Sequence, residues 1–127
     1  MHYSVIEDLT WHYSKELDIY IGVEPNLPSN AQADIVYARL EPGATLKKHY
    51  HDRSDSGGYE AFFFYQGADI QLLLDGSQEK HIARDQPFHL TFFDDEVHGI
   101  TNLAETPLHF EVLCAPRHVD GEEVVAD

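Results

Sequence analysis

The chain has 127 residues, 23 acidic and eight basic, and a formal net charge of −15. Its length accommodates one hydrophobic core rather than two, and 43% apolar with 12% aromatic residues excludes a disordered chain. The charge repels phosphate backbones and anionic membranes, so nucleic-acid binding is not expected, and no apolar run is long enough to span a bilayer as a helix.

Residues 1–8 have neither the basic stretch nor the apolar core of a secretory signal, so none is expected there. The sole cysteine, Cys114, can form neither an internal disulfide nor a cysteine-based zinc site. That fits a reducing, cytoplasmic setting. Residues 8–17 hold the one helix candidate, and they suit an irregular N-terminal arm over 1–18 equally well. Runs rich in β-branched and aromatic residues follow at 19–23, 35–40, 59–66, 70–74, 89–93 and 108–114, and they predict strands. Turn signals separate them, among them Glu41-Pro42-Gly43, Gln66-Gly67-Ala68-Asp69 and Glu105-Thr106-Pro107. Asp75-Gly76 predicts a hairpin between 70–74 and 78–82, because that pair tolerates positive φ. In 108–114, apolar Leu108, Phe110, Val112 and Cys114 alternate with positions carrying His109 and Glu111, the pattern of a strand with one buried face. The reading is a single all-β domain over 1–127, a sandwich or barrel with little helix.

His49 and His51 stand two apart, so on an extended strand both imidazoles project from one face. Glu60 opens the next predicted strand, with Phe62 and Phe64 on its face, and His98 follows the acidic loop Asp94-Asp95-Glu96. Three imidazoles and a carboxylate form a donor set for one divalent metal, with Fe(II), Mn(II), Co(II), Ni(II) and Zn(II) all compatible. Nine histidines make chance His-x-His pairs common, so spacing alone does not single out this set.

Gly43, His49-x-His51, Glu60 and Gly67 resemble the first motif of the cupin superfamily, and His98 with Asn102 resembles the core of its second. The likeness spans residues 35–114. It implies a double-stranded β-helix, a jelly-roll barrel, with 35–114 as its core. It also implies that His49, His51, Glu60 and His98 bind a metal inside that barrel. Two features depart from the pattern. Phe93 and Asp95 stand where the family places Pro and Gly, so aspartate side chains are expected to make the turn before His98. Eight residues, 52–59, separate His51 from Glu60, a segment long enough for a lid hinged at Gly57-Gly58.

Among other residues, Glu96 lies two from His98 and is the candidate proton shuttle. Arg39 would clamp a substrate carboxylate or phosphate if it pointed inward, although Val36, Ala38 and Leu40 form the more apolar face of its strand. Phe62 and Phe64 are expected to line the cavity and contact substrate. Tyr37, Tyr50 and Tyr65 are hydroxyl donors with nothing to choose among them. The resemblance implies a metal-dependent enzyme acting on a small molecule, with an Fe(II) oxygenase first. An isomerase or lyase, or a non-catalytic binder of a sugar or small acid, are the alternatives. By the same analogy the protein is expected to be a homodimer, with residues 3–6 supplying an edge strand.

Overall fold

The structure is a computed structural model that describes residues 5–24, 30–52, 57–117 and 123–126. Alternating apolar side chains set its strands: β1 (Thr10–Ser14), β2 (Ile19–Val23), β3 (Asp34–Leu40), β4 (Thr45–His51), β5 (Tyr59–Phe64), β6 (Ala68–Leu73), β7 (Glu79–Arg84), β8 (Phe88–Phe93), β9 (His98–Asn102), β10 (Leu108–Ala115) and β11 (Glu123–Val125). The β6–β7 hairpin turns at Asp75-Gly76, where Gly76 takes a φ of 65° and the Leu74 amide donates to Gln78 O at 2.9 Å. From that tip the antiparallel pairing runs outward: β6 with β7, β5 with β8, β4 with β9, β3 with β10. The paired ribbon winds on itself, so its strands fall into two sheets, β1-β2-β3-β10-β5-β8 and β11-β4-β9-β6-β7. This is the double-stranded β-helix that the sequence motifs imply.

The inward positions form one core between the sheets. Leu40, Phe64, Ile70 and Ile100 are fully buried in it, each contributing about 1.5–3 kcal/mol by leaving water. Asn102, also fully buried, donates from Nδ2 to Leu40 O at 3.1 Å and to Thr106 O at 2.9 Å. It ties the end of β9 to the end of β3 and to the loop before β10.

Two expectations change. Residues 8–17 contain no α-helix: Ile6–Asp8 is a single 3-10 turn and Thr10–Ser14 pairs with β2. Trp11 and Tyr13 favour a pleated surface, and the turn closes when the Asp18 amide donates to Ser14 O at 2.8 Å with Asp18 at φ 60°. The expected arm is thus part of the six-stranded sheet from Thr10 onward. Of the edge strand expected at residues 3–6, only 5 and 6 are described, and Ile6 opens the 3-10 turn instead. Residues 53–56 of the expected lid lie outside the described residues. Gly58 is packed rather than free to hinge: a Cβ there would meet Pro116 Cδ at 2.6 Å and Ala115 O at 2.7 Å.

Candidate metal centre

A fault in strand regularity aims the histidines. In β4, Leu46 pairs with Ile100 and His49 with His98, so three steps on β4 match two on β9. The extra residue is a β-bulge at Lys47-Lys48. Without it the two-residue alternation that buries Leu46 would bury Lys48 and turn His49 outward. With it, Leu46, His49 and His51 are all buried while Lys47 is exposed. The bulge also orients one ring, because His49 Nδ1 lies 2.7 Å from Lys47 O.

His98, opposite His49 on β9, is held in the same way, with its Nδ1 2.9 Å from Glu96 O. A carbonyl oxygen only accepts, so in both rings Nδ1 carries the proton. In the neutral ring Nε2 then presents a bare lone pair. Phe92 fixes the His98 plane, its ring stacked at 4.3 Å and 4°. Glu60 reaches in from the opposite sheet. Its Oε1 is 2.6 Å from His51 Nε2 and 3.4 Å from His98 Nε2, and the Cys114 thiol donates to its Oε2 at 3.4 Å. Cys114 and Glu60 are cross-strand partners, which brings the thiol to the carboxylate. One ligand atom from each of the four residues lies within 4.8 Å of the others, and all four residues are buried.

This arrangement fits a cation. Glu60 Oε1 and His98 Nε2 are buried without a well-aligned hydrogen-bond partner, a condition costing about 1–3 kcal/mol per group. A divalent ion satisfies both, and the mixed N/O set suits Fe(II), Mn(II), Co(II), Ni(II) or Zn(II).

No family model matches the chain, and no curated protein matches its sequence. Solved structures do match. A nucleoside dehydratase from Streptomyces, solved with uridine, superposes with a TM-score of 0.68 at 12% identity, covering 99% of this chain and 90% of that one. A predicted oxalate decarboxylase from Thermotoga maritima gives 0.68 at 16% identity over 91% and 99% of the two chains. A sugar phosphate isomerase of the cupin superfamily from Silicibacter pomeroyi gives 0.62 at 19% identity over 87% and 73%. The chain has the cupin fold. At these identities the likeness is one of fold alone.

Within this cupin barrel the cluster is set up electrostatically for metal. Burial, followed by the neighbouring His98, pushes His49 down to about 4 from its ordinary 6.5, outweighing its hydrogen bond to Lys47 O. His49 is therefore neutral and able to ligate near pH 7. Burial opposes charge on Glu60, but the adjacent His51 and His98 outweigh it and hold the carboxyl far below its ordinary value. The metal-free protein is expected to lose stability on mild acidification. Below 6.5 the unfolded chain takes up a proton at residue 49 that the folded chain refuses until about 4, so unfolding becomes easier as pH falls through that window. This contribution amounts to about 2 kcal/mol between about pH 7.5 and about pH 5. Urea midpoints of the chelated protein at the two pH values check it; His49→Gln should lose that share of the dependence, and an unchanged wild-type midpoint would contradict it.

The other expected residues are dispersed. Phe62 lines the cavity beside the cluster, its ring edge-on to His98 at 5.6 Å. Phe64 does not line it: it packs in the core against Phe88 at 4.8 Å and Phe110 at 5.2 Å. Arg39 is on the outer face of β3, paired with Glu41 at 3.0 Å and lying over the Tyr20 ring at 4.4 Å. It faces outward because Val36, Ala38 and Leu40 occupy the buried face. Glu96 is also turned away from the cavity, its carboxylate accepting from the Phe93 amide at 3.0 Å. It closes the turn expected of the aspartates, and its own carbonyl orients His98.

Glu123 is a site residue that carries no signal in the sequence. It pairs with His51 across β11 and β4 and lines the cavity from the edge strand next to β4. Glu123 opens a strand of only three residues, too short for a periodicity signal, so only topology brings it here. Phe92 and Cys114 were likewise invisible as supports, since both read as ordinary core.

Proposed function

We propose that this cupin is a metal-dependent enzyme acting on a small organic molecule, an oxygenase with one Fe(II) held by His49, His51, Glu60 and His98. The observation that carries the reading is where the cluster lies. Three of its residues, His49, His51 and Glu60, form the polar end of a cavity of about 50 Å³ whose other walls, Cys114 and Glu123 aside, are apolar, among them Ile19, Val36, Leu46 and Phe62. A bound Fe(II) supplies Lewis acidity and redox chemistry at that end. The protein holds the imidazole lone pairs in place through Lys47 O and Glu96 O, anchors Glu60 Oε2 on Cys114, and excludes water with its apolar wall. The small volume admits a compact substrate or only the reacting end of a larger one.

Glu123 supports a second reading, a metal-assisted isomerase or lyase. A carboxylate in the cavity can take and return a substrate proton, the role the sequence reading gave to Glu96. The similar structures, an isomerase, a dehydratase and a predicted decarboxylase, support that chemistry by analogy of fold.

Metal analysis and oxygen uptake on protein prepared under anaerobic conditions separate the two. The oxygenase reading expects about one iron per chain and oxygen uptake only when a small organic substrate is added. Zinc content with turnover and no oxygen uptake would sink it in favour of proton transfer at Glu123. A metal-loaded protein that binds small acids or sugars but turns none over would reduce it to a binding module.

A further inference from the structure

The outer face of the six-stranded sheet carries a second cavity, which the metal centre does not use. One row of cross-strand partners runs along it: Trp11 on β1, Gly22 on β2, Tyr37 on β3, Glu111 on β10 and Phe63 on β5. Directly opposed residues of antiparallel strands share a face. Gly22 leaves a gap in the row, and the Trp11 indole lies across it. A Cβ at Gly22 would come within 2.7–2.9 Å of three indole carbons. The indole N–H donates to Ile6 O at 2.8 Å, which holds the ring in place. Tyr65, just beyond β5, stacks on Phe63 with centroids 6.0 Å apart.

The hydroxyls of Tyr37 and Tyr65 both hydrogen-bond to Glu111. Burial and Glu111 raise the pKa of Tyr37, and the Glu111 charge raises that of Tyr65, so both remain protonated donors that fix the carboxylate. Trp11, Tyr37, Tyr65 and Glu111 thus border a hollow of about 290 Å³. Ala38 and Phe110 line this hollow and the metal cavity alike, so the two lie on opposite sides of one sheet.

We propose that this hollow binds a small organic cation, an alkylammonium group seated against the Trp11, Tyr37 and Tyr65 rings with its charge towards Glu111. Aromatic faces carry negative electrostatic potential, strongest for Trp, and attract cations most when partly desolvated. A carboxylate beside the rings adds a full opposite charge and repels anions. The net charge of −15 raises the local concentration of any cation. A neutral ligand of the same shape gains the ring contacts without the charge terms.

Trp11 is the chain's only tryptophan, so its fluorescence reports on this cavity. The full chain is titrated with choline and with the uncharged alcohol in which carbon replaces the quaternary nitrogen. The proposal expects a saturable change with choline and binding of the alcohol at least about tenfold weaker. Glu111→Gln and, at a separate exposed position, Tyr65→Leu should each weaken choline about tenfold while bound metal stays unchanged. Equal affinity for choline and the alcohol, no saturable response to choline, or wild-type affinity in Glu111→Gln would overturn it. The choline–alcohol comparison is made on the unaltered protein and stands whether or not a variant folds.

Discussion

Glu60→Ala and His51→Ala should each weaken metal binding by at least about a hundredfold while leaving the barrel folded. Glu60 is the one carboxylate in the cluster, and it reaches His51 and His98 from the opposite sheet. Removing it takes away the only negative ligand and leaves three imidazoles on one side of the cavity. Apart from the Cys114 thiol, the core between the sheets is held by apolar contacts that do not involve the carboxylate, so it keeps the fold together. His51→Ala removes the ligand nearest Glu60, at 2.6 Å. Metal per chain after dialysis, read beside the thermal transition, checks both. Full metal occupancy in both variants would remove the assigned site; loss of folding without metal would show that the ion holds the barrel together.

Gly99→Ala is the second large effect, and it acts through the backbone. Gly99 follows His98 and faces the bulge in β4, where a Cβ would lie 2.7 Å from Leu46 O and 3.0 Å from the Lys48 amide nitrogen. Both contacts are main chain and cannot rotate away. The strand must separate from the bulge, and that bulge is what points His49 and His51 inward. The expected result is a loss of about 2–4 kcal/mol together with weaker metal binding. Gly43→Ala is the comparison: it has a φ of 75° but nothing within 4 Å of its Cβ, so only the local backbone cost of about 1–2 kcal/mol applies and metal binding is spared. Urea midpoints and metal content of the two variants check the contrast. Equal stability and equal metal in both would mean that the bulge does not depend on Gly99.

The strands between Ile19 and Ala115 were legible wherever β-branched and aromatic residues alternate, and the Asp75-Gly76 turn sets the tip from which the whole ribbon pairs. The four clustered residues were legible too, His49 and His51 by their shared face, Glu60 and His98 only through the paired motifs. The bulge was not. A two-residue period read backwards from His49 would bury Lys47 and expose Leu46, the reverse of what the barrel does. Thr10–Ser14 was ambiguous because Trp11 and Tyr13 reveal their face only when β2 is opposite. Glu96 and Glu123 exchanged apparent roles for a related reason: nearness in sequence to His98 placed the former in a turn, whereas strand pairing placed the latter opposite His51.

The most direct test of the metal centre is anomalous diffraction from crystals of the Fe(II)- or Co(II)-loaded protein. One strong anomalous peak per chain is expected between Nε2 of His49, His51 and His98 and Oε1 of Glu60. A peak elsewhere, with those four groups closed on one another and no density among them, would contradict it.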